Sequence, residues 1–427
     1  MLLEDILAYI KQKESLETLQ PHWDNTLNTF PSDGPSFLKP ENILENLKWS
    51  GLTAEAEAPL LKGADIIRSD HQLSMLAWHC YSLLFTHTGY GQEGFGDAFR
   101  KWPSLDSVMG ELSGTFYLLI ALAMVPEVLK VHGDMEVDAK ISKDTCLQIS
   151  CFSANYRQLT RGQLGISLNQ IHWLRNYTAG KLFRIGRFEY MLRPFRGTLT
   201  VYRHRDDGTV LALAPDGACY DEGGYEVDND METKWKALFK DGNEFVSGYP
   251  ISPSGRAIDS EVRLKKNEWK CVLKNGDTTL DMHIPSGGGM TLSKCRDSMV
   301  NATSFFRKYF PTEPFNNITC FSWTFNPQLQ ALEFSSDNLA RFQRELYLYT
   351  GKGPGQEGLW YIFFQEPFDA QTAPRDTSLQ RAVADFILAG NTWRNGAMFF
   401  LTEDLQKFGT GYYHTKFPVD KLGLEKV

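Results

Sequence analysis

The chain has 427 residues, 42% hydrophobic and 13% aromatic, with 44 basic against 52 acidic residues and a formal net charge of −8. That length exceeds one ordinary domain of roughly 150 residues, and the apolar share excludes a globally disordered chain. The acidic surplus gives no electrostatic basis for general binding to polyanions, so no nucleic-acid and no membrane partner is expected.

Residues 1–145 read as a helical bundle. Leu2, Ile6, Tyr9 and Ile10 start one apolar stripe, and Leu73, Leu76, Ala77, Leu83 and Leu84 form another. Loops at 33–40 and 90–96 punctuate it. The most apolar run, 116–125, is about half the roughly 20 residues needed to cross a bilayer, and reads as a buried helix. The first residues lack the basic start and long apolar core of a secretory leader. Seven cysteines without a CxxC pair fit a reducing, cytoplasmic setting better than a disulfide framework.

After Cys146 the pattern changes, so the second domain is expected to span 146–427. A helix runs from Ser167, placed to cap it, to Gly180, which tolerates a left-handed exit. Strands follow at 187–193, 198–204 and 210–214, the last two joined by a turn at Asp206, Asp207 and Gly208. The stretch 215–260 is rich in Gly, Asp, Asn and Ser and is expected to be a loop-rich insertion with one helix near 232–239.

Residues 279–284 alternate as a half-buried strand, broken at Pro285. A glycine loop and a helix over 292–310 come next. Strands at 318–325, 342–349 and 359–365, a short helix from Pro327, a helix at 378–389 and a strand at 397–401 complete an α+β chain.

Glycines between a strand and a helix start let backbone approach an anion beside unpaired N–H donors. Ser286, Gly287, Gly288, Gly289 and Met290 have that context, and can either hold a cofactor pyrophosphate, such as that of CoA, or form an ordinary turn. The loop is neither a Walker A motif nor a dinucleotide fingerprint. Two literal GxGxxG strings, Gly89/Gly91/Gly94 and Gly353/Gly355/Gly358, read as turns: the first follows a helix and the second is expected to join two strands.

His283 and Asp281 share one side of their strand, and an imidazole suits the proton transfer that amine acylation requires. A solvated strand face is the other reading. Glu189, with Arg187 and Arg193 on the same strand, is a second candidate base or a surface ion pair. Cys320 sits in an apolar strand as a packing residue or a nucleophile. The histidines His71, His79 and His87 are eight apart and no metal-binding spacing occurs, so no metal is expected.

Several ordered segments carry a resemblance. Met282-His283-Ile284-Pro285-Ser286-Gly287-Gly288, Phe305-Phe306, Tyr309-Phe310-Pro311, Cys320-Phe321-Ser322-Trp323, Asn326-Pro327-Gln328-Leu329, Asp337-Asn338-Leu339 and Arg341-Phe342-Gln343 resemble a bacterial acyltransferase family. Its members have a helical N-terminal domain and a GNAT-like C-terminal domain. Trp173-Leu174, the segment 182–187 and Ser378-Leu379-Gln380-Arg381-Ala382 extend the likeness over roughly residues 165–390.

The resemblance implies a mixed, mainly antiparallel sheet flanked by helices, with CoA pyrophosphate held by the loop after the fourth strand. Ser286 to Met290 falls there, although only Gly287, Gly288 and Gly289 stand where the superfamily signature is Gln/Arg-x-x-Gly-x-Gly/Ala. The implied activity is N-acyl transfer from an acyl-CoA thioester to a small-molecule or peptide amine, with CoA or acyl-CoA as the cosubstrate. His283 and then Glu189 are the expected bases, and Tyr347 or Tyr349 the proton donor. The altered loop also fits a non-catalytic ligand-binding protein on a GNAT-like fold, and a hydrolase using Cys320 or Ser322 is a third reading without a GxSxG elbow.

Overall fold

A computed structural model describes residues 1–92, 96–228, 232–332 and 337–418, and the chain divides into two compact units. One comprises Met1–Ile185 with Pro285–Gly287, the other Gly186–Ile284 with Gly288–Val427.

The first unit is helical. Its longer helices are α1 (Pro40–Ser50), α2 (Glu57–Ser69), α3 (His71–Tyr81), α4 (Ser113–Leu122), α5 (Met124–Asp134), α6 (Ala139–Cys146) and α7 (Gln148–Leu159). Every residue of α4 is buried, which explains a run with no polar face. The helical stretch Asp106–Asp134 is long and apolar enough to cross a membrane by length and composition, but 78% of its apolar window is buried inside the protein. Asp70 starts α3 by accepting from the N–H groups of Gln72 and Leu73, which would otherwise be orphaned at the helix end.

The division between units falls at 185/186, not near 145. The cause is that the chain stays helical well past Cys146. Ser167 caps the turns Leu168–Ile171, His172–Leu174 and Arg175–Thr178, and Gly180 leaves them with φ +62°, as the sequence indicates. Arg175 then ties these turns to the early bundle. Its Nε donates to Leu84 O at 2.8 Å, and its Nη1 and Nη2 donate to Tyr90 O and Leu83 O.

The second unit is α+β. Its strands are β1 (Phe188–Pro194), β2 (Thr200–His204), β3 (Val210–Leu213), β4 (Phe245–Gly248), β5 (Val262–Lys265), β6 (Trp269–Leu273), β7 (Thr278–His283), β8 (Asn317–Phe321), β9 (Tyr347–Pro354) and β10 (Arg394–Leu401). In its main sheet the order is β1-β7-β8-β10-β9. All neighbours there are antiparallel except β7 and β8, which run parallel. Between them the chain forms helix α8 (Leu292–Tyr309), the crossover that a parallel pair requires. Cys295, Ser298, Met299, Ala302, Phe305 and Phe306 form the buried stripe of α8. Ser298 Oγ accepts from Phe188 N at 3.1 Å and lies 3.0 Å from Tyr190 Oη, so one serine pins the helix to β1.

The stretch 215–260 is folded rather than loop-rich, and its described residues contain no helix near 232–239. Cys219–Tyr220 pairs with Glu226–Val227 and Trp235–Lys236, and Tyr220 stacks on Trp235 at 4.6 Å. β4 pairs with β5 and with Lys240–Asp241, burying Val246, Val262 and Leu264 against Tyr202, Leu211 and Leu213. Strands this short leave almost no period to read.

Two later assignments also change. Residues 337–343 form helix α9 (Asp337–Gln343) before β9, and 359–365, expected as a strand, lies largely in helix α10 (Gln356–Phe363). Helix α11 (Ser378–Leu388) is present, closed by a capping box between Thr377 and Gln380.

Candidate active site

Two of the expected bases are brought together by strand register. β1 and β7 pair so that Glu189 stands directly opposite His283. Opposed residues of an antiparallel ladder point to the same face, with Cβ atoms about 5 Å apart. Glu189 is buried and His283 half-buried. Asp281 is on the same face one pleat back, and its Oδ2 lies 3.2 Å from His283 Nε2 and 3.3 Å from Arg193 Nη1. Burial pushes the Asp281 carboxyl up, but the His283 and Arg193 charges and hydrogen bonds outweigh it, holding the group below the usual carboxylate range. The carboxylate is therefore ionised at neutral pH.

These groups stand beside the parallel seam. The β7–β8 ladder pairs only Leu280 with Ile318 and Asp281 with Thr319. Both strands continue beyond it, to His283 and Phe321, without a further ladder pair among the described residues. Thr279 Oγ1 and Thr319 Oγ1 meet across the seam at 3.0 Å on the face that carries Asp281.

The glycine loop follows β7 directly. Gly287, Gly288 and Gly289 have φ of +80°, +75° and +66°, a run of left-handed conformations that side-chain-bearing residues resist. The loop enters the 18-residue α8 at Thr291, whose side chain makes no cap hydrogen bond, so this side chain does not compete with an anion for the first-turn N–H groups. Two cations gather here. Arg187 Nε donates to Gly289 O at 2.6 Å and Lys294 Nζ donates to Gly288 O at 3.1 Å. A Cβ on Gly288 would come 3.4 Å from Arg187 Cδ and 3.5 Å from its Nε. In the helical unit the Ser286 carbonyl accepts a 3.9 Å contact from Cys151 Sγ, and Ser286 itself is exposed. Met290 packs on the apolar cluster that contains Leu359, Ile362 and Val383.

Tyr347 does not join the site. Its hydroxyl donates to Ile251 O and accepts from Ala212 N at 3.2 Å, so it fastens the main sheet to the neighbouring strand layer. Burial pushes its phenol well above the usual value, which removes it as a proton donor in the 283–290 region. Tyr349 remains nearer: its phenol is raised by burial and then by the charge of Asp281. The hydrolase reading also fails. Cys320 is buried and its thiol is pushed up, while Ser322 Oγ caps the turn Trp323–Phe325 by accepting from Thr324 N at 3.3 Å.

The second GxGxxG string joins β9 to α10 and not two strands. Its glycines serve packing, since a Cβ would come 2.4 Å from Trp393 Cδ1 at Gly355 and 2.5 Å from Trp323 Cβ at Gly358. In the first string, Gly94 lies outside the described residues. Among the described residues no group of three or more His, Cys, Asp or Glu side chains is arranged to hold a metal ion.

Sequence reasoning missed Lys294, although its place in the first turn after the glycines was a usable signal. It also missed Arg187 as a loop cation, because reach from one strand to a distant loop has no sequence period.

Residues 182–400 match the family model of the GNAT-like C-terminal domain, and residues 41–180 match that of the N-acyltransferase N-terminal domain. No curated protein matches significantly. Among solved structures, the chain is similar to an acyltransferase variant in complex with octanoyl-CoA, at 17% identity and a TM-score of 0.61, covering 93% of this chain and 98% of that one. It is also similar to an acyltransferase in complex with decanoyl-CoA and teicoplanin, at 18% identity and a TM-score of 0.59, covering 94% and 99%.

Proposed function

Because the chain belongs to the family that has a GNAT-like C-terminal domain, here behind an N-acyltransferase N-terminal domain, we propose that it transfers an acyl group from an acyl-CoA thioester to an amine. The observation that carries this reading is the passage β7, three left-handed glycines, uncapped α8, with Arg187 and Lys294 at the loop. A pyrophosphate is the ligand such a loop suits, because backbone N–H donors, a helix end and two cations all favour phosphate oxygens.

The similar solved structures hold octanoyl-CoA, decanoyl-CoA and teicoplanin, which supports a medium-chain acyl-CoA donor and a small-molecule acceptor for this chain. A peptide amine is the narrower alternative. The seven cysteines are free, which fits a reducing cytoplasm as the place of action.

The chemistry is proton transfer beside positioning. His283, supported by Glu189, takes a proton from the incoming ammonium. The amine lone pair attacks the thioester carbonyl, and the tetrahedral oxyanion that forms is stabilised by backbone N–H groups at the end of β7. The oxyanion collapses, the C–S bond breaks and the thiolate of CoA leaves. The nitrogen gives up its second proton and the thiolate takes one, so the products are an amide and CoA with one proton released.

Thermal unfolding tests the loop. Millimolar CoA or decanoyl-CoA should raise the melting temperature of the parent by mass action on the folded state. Gly288→Val places a branched side chain at φ +75° beside Arg187, and should abolish that shift. No shift in the parent, or an unchanged shift in the variant, overturns the assignment. Binding without turnover on any amine would favour the non-catalytic ligand-binding reading.

A further inference from the structure

The open end of the parallel seam carries an exposed aromatic ring. The last ladder pair between β7 and β8 is Asp281 with Thr319, and two residues further the same face bears His283 on β7 and Phe321 on β8. Phe321 stands opposite Ala397 of β10, and Ala397 opposite Tyr349 of β9. Ala397 and Tyr349 are buried, whereas Phe321 is 54% exposed.

A single exposed ring needs no explanation, but the seat under this one does. A Cβ on Gly351 of β9 would come 2.4 Å from Phe321 Cε2, and the three atoms nearest to it all belong to that ring. Gly351 is not in the left-handed region, so its backbone does not require a glycine. What the missing side chain provides is room for the ring. Phe321 therefore leans from β8 across β10 to β9, away from the seam. Met290, at the end of the glycine loop, and Trp323, two residues past Phe321, pack on one apolar cluster, so the loop and the end of β8 share an apolar support.

We infer that Phe321 determines which acyl chain the site takes. Its ring, held back on Gly351, is the wall along which a donor's alkyl chain of several methylenes runs. The inference rests on the acyl-transfer reading, which puts the thioester carbonyl at the end of β7. The chain is bonded to that carbonyl, and Phe321 is the β8 residue across the open seam from His283. Neighbouring strands stand roughly 4.8 Å apart, farther than the methyl of an acetyl group reaches from its carbonyl carbon. A longer chain reaches the ring. It has no hydrogen bonds to make and gains by leaving water, in proportion to the apolar area covered. Gly351 keeps the path open, because a side chain there would push the ring toward the seam.

The test measures dissociation constants of decanoyl-CoA and acetyl-CoA by calorimetry in the parent, Phe321→Ala, Gly351→Ala and the double variant. The parent should prefer decanoyl-CoA. Phe321→Ala should cut that preference by about 10-fold, the effect of uncovering roughly two methylenes. Gly351→Ala should also cut it, through the displaced ring. The atom that yields is the end of an exposed side chain, so the melting temperature of that variant without ligand should stay near the parent's. In the double variant the ring is gone, so Ala at 351 should add nothing to the effect of Phe321→Ala. A purely backbone role for Gly351 would act equally with or without the ring. No decanoyl preference in the parent, an unchanged preference in Phe321→Ala, or additive effects in the double variant overturns the inference and leaves acyl transfer standing. A parent that binds no CoA thioester overturns the acyl-transfer reading and this inference with it.

Discussion

His79 on α3 is buried with both ring nitrogens engaged: Nε2 donates to Leu19 O at 2.6 Å and Nδ1 accepts from Thr26 Oγ1 at 2.6 Å. Burial lowers its pKa to about 4, and burial does the same for His132 and His172. The unfolded chain therefore binds these protons near pH 6.5 and the folded one only near pH 4. Stability is full above the upper value and is lost as pH falls through that window. For His79 alone the loss at pH 4 is about 3 kcal/mol, at roughly 1.4 kcal/mol per unit. Urea unfolding followed by circular dichroism should show the helical unit's midpoint falling between pH 6.5 and 4.5, and a flat midpoint there contradicts the burial of these rings. The same scale shows what a sequence can display. Alternation over 279–284 placed Asp281 and His283 on one face from period alone. That Glu189 stands opposite His283 depends on a register set between segments some ninety positions apart, and the place of Tyr347 was not legible because its partners Ala212 and Ile251 lie 135 and 96 positions away.

Helix α10 shows how an element misleads. The run Leu359-Trp360-Tyr361-Ile362-Phe363-Phe364 is continuous and aromatic, which reads as a buried strand, and periodicity cannot separate that from a buried helix. The structure decides by packing: Leu359, Ile362 and Phe363 join Val383, Ala384 and Trp393 in one cluster, a spacing of three and four that only a helix gives. Gly358 lies inside this helix. On propensity, Gly358→Ala should stabilise by about 1 kcal/mol. Yet a Cβ there would sit 2.5 Å from Trp323 Cβ, a clash with no flexible end to yield. Gly358→Ala should therefore lower stability by about 1–3 kcal/mol, as overpacking does. A higher melting temperature in that variant would mean that α10 is not seated against Trp323. By contrast α8 was legible end to end, because its stripe from Cys295 to Phe306 repeats at three and four residues and a glycine loop marks its start.

At the scale of the whole chain, the α+β order was legible and the division was not. A change from helical to alternating pattern near residue 145 suggested a boundary, but the helices after Cys146 belong to the bundle. Arg175 donates to main-chain carbonyls of Leu83, Leu84 and Tyr90, and Arg184 N donates to Thr145 Oγ1 at 3.1 Å. His132 stacks on Phe183 at 4.9 Å, and a Cβ on Gly114 of α4 would meet Leu164 O at 2.4 Å, so α4 is closely covered from beyond position 145. A fragment of residues 1–185 retains all of these contacts. It lacks from its unit only Pro285–Gly287, a three-residue segment that includes the 3.9 Å contact between Cys151 Sγ and Ser286 O. A fragment of residues 1–145 loses them all and uncovers the apolar α4, whose ten residues are every one buried. The longer fragment should unfold in a single cooperative transition and keep its helical circular dichroism, whereas the shorter one should aggregate or melt without cooperativity, since the apolar surface it exposes has no cover left in the chain. Equal cooperativity in both fragments would place the boundary back near 145, where the change of sequence pattern lies.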